Sequence, residues 1–178
     1  ETLPAAPSAS SGRHVRPAQT GAMSVERDER DYTVALAVAA DAAVVGQRVD
    51  AAGLRLGLSV CYDLRFPELY RALMAPPCDL LSVPSAFTYT TGQAHWELLL
   101  RARAIENQCY VIAPAQGGRH ENGRRTWGHS MVVDPWGEVL AVRPEGEGVV
   151  LAELDPARLA DIRTRLPASS IRSMALSG

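Results

Sequence analysis

Cys61 closes the apolar run LRLGLSVC and is followed at once by YDLRFPELY, so a thiol, a carboxylate (Asp63) and a guanidinium (Arg65) stand at alternate positions. A thiol at the carboxyl end of a strand, just before a helix, meets unpaired N–H groups and a helix dipole. These favour a thiolate and can hold an oxyanion. The same cysteine also reads as a small buried hydrophobe ending a core strand, and position alone leaves both readings open. Asp63 and Arg65 can form a local ion pair that fixes the turn, or Arg65, planar and five-donored, can clamp a substrate carboxylate.

Further candidates lie downstream. His95 in TYTTGQAHWE and His129 in GHSMVVDPWG are each placed to serve a generic Cys/His thiol hydrolase, in which imidazole draws off the thiol proton. A satisfied structural role is the ordinary reading of each. Thr90 or Thr91 is placed to cap the helix that carries His95. Arg103 and Glu106 share a helix face and can pair, either as a solvated ion pair or as charges that orient a site from beneath. Cys78 and Cys109 have no charged neighbours in the sequence pattern and read as inert, while Trp127 and Trp136 read as core or interface residues. The cysteines, three in number, lack CxxC spacing, so they suggest neither a zinc site nor a disulfide frame.

These groups need a scaffold. LRLGLSVC predicts a buried strand, and FPELYRALM a helix with Pro67 in its first turn and Glu68 near the positive end of the dipole. CDLLSVPSAF predicts a second strand. AHWELLLRARAIENQ predicts a helix with Leu98, Ile105 and their neighbours on one apolar face. CYVIAPAQGG predicts a third strand and HSMVVDP a fourth, followed by a Pro-Trp-Gly turn. EVLAVRPEGEGVVLAELD reads as a hairpin-like pair and PARLADIRTRL as a terminal helix. Strands alternating with helices, then a run of strands, give an α/β layered domain. Residues 1–31 show no sustained apolar period and are expected to form a loose arm, and the segment from 32 to 50 suits either a helix or short strands.

The chain has 178 residues, 47% of them hydrophobic and 21% charged, enough for one domain with a sizeable core. Its 18 basic residues against 20 acidic ones form no basic stripe, which argues against nucleic acid. No stretch reaches the apolar length of a membrane span, and the first residues lack the order of a secretory signal. The expectation is a cytoplasmic protein with reduced thiols. Every basic residue is arginine, and the first residue is Glu1 rather than Met.

The segments GLSVCYDLRFPELYRAL, PSAFTYTTGQAHWELLLRARAIENQCYVIAPAQGG and GHSMVVDPWGEVLA, in that order, resemble the nitrilase or carbon-nitrogen hydrolase superfamily. The likeness is to its Nit branch of ω-amide and deaminated-glutathione amidases, over residues 53–167. It implies the C-terminal part of a four-layer α-β-β-α sandwich, with the N-terminal half missing. Residues 1–52 are then an unmatched segment, 53–167 the hydrolase domain and 168–178 a tail. The resemblance further implies that Cys61 attacks an amide or nitrile carbon, ammonia leaves, and water hydrolyses the thioester. By the same implication the Tyr62 backbone N–H helps hold the oxyanion, Arg65 meets a substrate carboxylate and the Thr91 hydroxyl lines the pocket. It implies a small-molecule amide substrate, neither metal nor organic cofactor, and a homodimer or higher oligomer.

The chain departs from the family pattern in one respect. The family draws a glutamate base and a lysine from its N-terminal half, and this sequence contains no lysine. Residues 1–52 show no likeness to the family's glutamate-bearing segment, so Glu26 and Glu29 are not assigned as the base, while Glu68, Glu97 and Glu106 fall in downstream motifs with supporting roles. Losing general-base assistance costs about 10²- to 10⁴-fold in rate. The expected function is therefore a cysteine amidase for a small ω-amide with a free carboxylate, impaired in this chain. The alternative is a catalytically inactive binding or assembly fragment of the same fold. A lone half also exposes apolar sheet surface, so limited stability is expected.

Overall fold

The structure, a computed structural model, describes residues 23–27, 32–36, 47–51 and 53–168. Met23–Arg27 (β1) and Tyr32–Leu36 (β2) pair antiparallel, with Val25 opposite Val34, in a two-stranded sheet of their own. The loose arm expected up to residue 31 is thus corrected at Met23–Arg27. Backbone pairing in a five-residue hairpin arm needs no apolar period long enough to register in the sequence. The rest of that arm, residues 37–46 of the undecided segment, and residues 169–178 lie outside the described residues.

The main sheet has six strands. Arg48–Ala51 (β3) and Leu54–Leu58 (β4) form an antiparallel pair across Gly53, which takes a left-handed backbone at φ +78°. After β4 come a short 3₁₀ turn at Cys61–Arg65 and the helix Pro67–Leu73 (α1), opened by its proline as expected. The chain then returns in Leu80–Ser82 (β5), crosses through the helix Tyr89–Asn107 (α2), and re-enters the sheet as Tyr110–Ala113 (β6). Strands β4, β5 and β6 run parallel, as helical crossovers require. Beyond β6, Gly117–Arg119 (β7) and Arg125–Trp127 (β8) pair as a small separate hairpin. Ser130–Val133 (β9) and Val139–Arg143 (β10) then extend the main sheet antiparallel, in the order β10-β9-β6-β5-β4-β3. The last helix given a range is Pro156–Arg165 (α3).

Side chains alternate across this sheet as its pleat dictates. Leu81, Val83, Val111, Ala113, Met131 and Val133 face α1 and α2, where Leu73, Trp96, Leu100 and Ala104 complete one core. Leu56, Leu80, Tyr110 and Val132 face the other way and pack with Leu154 and Leu159. Gly57 gives room to β5 and α1, because a Cβ there would lie 2.8 Å from Leu81 Cδ2 on β5 and 3.2 Å from Leu73 Cδ1 on α1. Asp155 caps α3 by accepting the Ala157 N–H at 2.8 Å. Arg163 ties that helix to Asp79 Oδ1 and to the carbonyls of Cys78 and Gln108. No helix among the described residues is long and apolar enough to cross a membrane.

Four expectations need correction. Helix α2 starts at Tyr89 behind the N-cap position Thr88, so Thr90 and Thr91 lie within its first turn. Its buried face is Trp96, Leu100, Arg103 and Asn107, whereas Leu98 is 69% exposed and Ile105 46% exposed. Trp96 decides this orientation: its ring meets Phe87 at 5.0 Å, and its Nε1–H donates to the His129 carbonyl at 2.8 Å. The strand expected over 109–118 ends at Ala113, since Pro114 supplies no N–H to a ladder, and its glycines join β7 instead. The hairpin expected within 138–155 is instead β9 with β10. After β10, Val150, Ala152 and Leu154 pack on the sheet face without ladder pairing.

Candidate active site

Parallel pairing continues past the formal end of β4. The Ser59 N–H donates to the Ser82 carbonyl at 3.0 Å, and the Cys61 N–H to the Pro84 carbonyl at 2.9 Å. There the chain must leave the sheet sharply. Cys61 does so with a left-handed backbone, φ +47°, a region that costs a non-glycine residue about 1–2 kcal/mol. Such a conformation persists only where its surroundings over-determine it. Asp63 supplies part of that constraint: its Oδ2 accepts the Val60 N–H at 2.8 Å, its N–H donates to the Val60 carbonyl at 3.0 Å, and its carbonyl accepts the Phe66 N–H at 2.9 Å. The turn is therefore fixed by Asp63 acting on backbone, and not by the Asp63–Arg65 pair considered from sequence. Cys61 is half-buried and Tyr62 exposed, so this turn lies at the surface.

Arg65 reaches across to α2. Its Nη1 lies 3.3 Å from His95 Nδ1, and its guanidinium sits 5.5 Å from the Tyr62 ring centre and 5.1 Å from that of Phe87. Rings hold the cation without neutralising it. Among the described residues Arg65 takes part in no ion pair. Thr91 stands four residues before His95 on the same helix face. Its hydroxyl lies 2.7 Å from that of Thr88 and bonds the Thr88 carbonyl at 3.3 Å. Cys61, Tyr62 and Arg65 thus share one turn, and Arg65 links that turn to the face of α2 that bears Thr91.

Beneath the turn lies a buried polar network. Ser59 Oγ lies 2.8 Å from the Tyr70 hydroxyl and donates to the Ser82 carbonyl at 2.9 Å. Arg103 donates to the Leu64 carbonyl from Nε at 3.1 Å and from Nη2 at 2.7 Å, and pairs with Glu106 through Nη1 at 2.8 Å. Its guanidinium lies 5.3 Å from the Tyr70 ring centre. Burial pushes the Tyr70 phenol above its ordinary range, against the opposing effect of its hydrogen bond with Ser59. The pairing expected of Arg103 and Glu106 is present, as a mostly buried contact rather than a solvated one.

The remaining candidates do other things. His129 donates from Nδ1–H to the Trp127 carbonyl at 3.0 Å and stacks on the Trp127 ring at 4.0 Å. With His95 on Arg65, neither imidazole is hydrogen-bonded to Cys61 among the described residues. Cys78 and Cys109 are buried, and burial pushes both thiols up. Charged groups do surround them, contrary to the expectation: Asp79 directly follows Cys78, and Arg163 arrives from α3. Trp136 is exposed and Trp127 half-buried, and the tryptophan of the core is Trp96. Two shallow depressions, one lined by Pro67, Glu68, Arg71 and Ala72 and the other by Arg119, His120, Glu121 and Asn122, include none of the expected site residues.

Sequence reasoning missed Ser59, Tyr70 and Phe87 as parts of this region. Phe87 carried no signal beyond an apolar position. Ser59 carried one: a serine inside an otherwise apolar strand end needs a buried partner.

The sequence matches the carbon-nitrogen hydrolase family over residues 8–164. It is 57% identical over 112 residues to a deaminated glutathione amidase of Synechocystis sp., covering 63% of this chain and 41% of that protein. The crystal structure of the Caenorhabditis elegans NitFhit protein superposes with a TM-score of 0.67 at 54% identity, over 69% of this chain and 30% of that one. An amidase mutant from Nesterenkonia sp. AN1, solved after Michael addition of acrylamide at its active site cysteine, matches at 33% identity and a TM-score of 0.55. That match covers 69% of this chain and 48% of the amidase. The chain thus spans about two fifths of the length of the curated relative quoted. Its α/β sheet and helices correspond to part of the nitrilase-superfamily fold, and the chain belongs to the carbon-nitrogen hydrolase family.

Proposed function

We propose that the chain carries the nucleophile portion of a cysteine amidase that releases ammonia from a small ω-amide bearing a free carboxylate. Cys61 is the nucleophile: its sulfur attacks the amide carbon, ammonia departs, and water hydrolyses the thioester. The Tyr62 N–H, which is not one of the three donors that close the turn, is assigned to the oxyanion. Arg65 is assigned to the substrate carboxylate, because it is a guanidinium held between rings without an ion-pair partner among the described residues. Thr91 lines the same side through α2. The observation that carries the reading is the left-handed backbone of Cys61 at the carboxyl end of a parallel strand, a strained presentation found at functional sites. The similarity to amidases supports the reaction class.

A second reading, a binding or assembly fragment without turnover, is favoured by one observation: no lysine occurs in the sequence. Ammonia release from a panel of ω-amides, by this chain and by Cys61→Ala at equal concentration, separates the two. Turnover lost in the variant supports the amidase. A folded chain with no turnover supports the fragment.

A further inference from the structure

We infer that Arg103 is a positioning residue for the Cys61 nucleophile, holding the reactive turn from beneath through the carbonyl of Leu64. The inference rests on the proposed role of Cys61. Arg103 lies on α2, far from Cys61 in sequence, and is 5% exposed. Two of its N–H groups converge on one carbonyl, that of Leu64, at 3.1 and 2.7 Å, while a third meets Glu106 at 2.8 Å. A guanidinium can do this because its donors form a rigid fork, whereas an ammonium is a point charge on a flexible stem.

The arrangement is bracketed. On the amino side of Cys61, Ser59 is tied to the Ser82 carbonyl and to the Tyr70 hydroxyl. On the carboxyl side, Leu64 is tied to Arg103, and the Arg103 guanidinium packs over the Tyr70 ring. Tyr70 therefore joins both arms, and the left-handed residue lies between two buried anchor points. Asp63 closes the turn locally but is itself part of it. Arg103 and Tyr70 connect the turn to the helices packed beneath it. Removing the Arg103 arm frees the Leu64 carbonyl, and the φ of Cys61 then relaxes toward the ordinary negative region.

The test uses the full chain and acrylamide, whose Michael addition forms a sulfur–carbon bond and moves the thiol proton to the carbon next to the amide carbonyl. Addition at Cys61, Cys78 and Cys109 is followed by peptide mass spectrometry for the wild type, Arg103→Lys, Arg103→Ala and Tyr70→Phe. The buried Cys78 and Cys109 report general opening of the fold. The expected result is Cys61 addition slowed about tenfold in both Arg103 variants, and in the same direction in Tyr70→Phe, with Cys78 and Cys109 still protected. Lysine is expected not to rescue. Unchanged Cys61 addition in a folded Arg103 variant overturns the inference, and so does a parallel rise at all three cysteines, which marks a role in stability alone. If Arg103→Ala does not fold, Arg103→Lys and Tyr70→Phe decide. If the wild-type Cys61 reacts no faster than an unfolded-peptide thiol, the nucleophile reading falls. Amide exchange at Tyr62–Phe66 then judges positioning by itself: faster exchange in Arg103→Lys supports it and unchanged exchange overturns it.

Discussion

Gly92 and Trp127 meet so closely that a methyl group on Gly92 would lie 2.2 Å from Trp127 Cβ and 2.5 Å from its Cγ. This contact sets the first turns of α2 against β8, and those turns carry Thr91 and His95. The missing side chain matters here for space rather than for backbone freedom. Gly92→Ala gains about 1 kcal/mol of helix propensity but must displace a half-buried indole, and overpacking of this kind costs about 1–3 kcal/mol. The net expectation is a loss of about 1 kcal/mol, read as a lower urea midpoint at unchanged slope. A raised midpoint would mean that the indole moves aside freely.

Alkaline pH should destabilise the fold in two stages. Burial raises the pKa of Cys109 and of Tyr70, so the native state keeps both protonated where the unfolded chain ionises them. The raised pKa means that each contribution is fully present below the unfolded value and is lost as pH rises above it. For Cys109 the loss starts near about pH 8.5, and for Tyr70 near about pH 10, each then costing about 1.4 kcal/mol per pH unit. Urea midpoints at pH 7.5, 9.5 and 10.5 measure this. Cys109→Ala should make the first stage shallower, leaving the smaller part due to the Cys78 thiol, which burial also raises, and should leave the second stage; an unaltered first stage in that variant would refute the assignment.

What the sequence made legible follows from local chemistry. The strand, turn and helix around Cys61 were readable because Pro67, Glu68 and the apolar run before Cys61 act within a few residues. The buried face of α2 was not, because Leu98 and Ile105 look like core by composition. The outcome depends on where Trp96 and Arg103 find partners, at Phe87, His129 and Leu64. Arg103 and Glu106 were legible as a pair at helical spacing, but their target carbonyl was not, since Leu64 belongs to another element. The left-handed backbone at Cys61 left no trace either, because cysteine is not a residue that announces φ above zero.

The chain alone should be only modestly stable. On the sheet face opposite α1 and α2, Leu54, Leu58 and Ile112 are only half-buried, and Val149 and Leu151 beyond β10 are exposed. Apolar surface left in water contributes nothing to folding and favours association. We expect thermal unfolding, followed by circular dichroism, with a midpoint below about 55 °C. A cooperative transition above that temperature would show that the two cores suffice.

The strain at Cys61 makes a prediction that separates chemistry from stability. At an ordinary helix or strand position, glycine is less stable than alanine by about 0.5–1 kcal/mol, because it loses more backbone freedom on folding. At φ +47° the order should reverse, since alanine keeps the Cβ that the left-handed region penalises and glycine does not. Cys61→Gly is therefore expected to exceed Cys61→Ala in stability by about 1 kcal/mol, while neither variant forms an acrylamide adduct at residue 61. Equilibrium unfolding of the two proteins decides it. If alanine equals or exceeds glycine, the turn relaxes at no cost and the bracket of Ser59, Tyr70 and Arg103 does not hold it. If glycine wins, the cysteine occupies a position where it is not the most stable residue. Its retention there is then accounted for by the thiol it presents and not by packing.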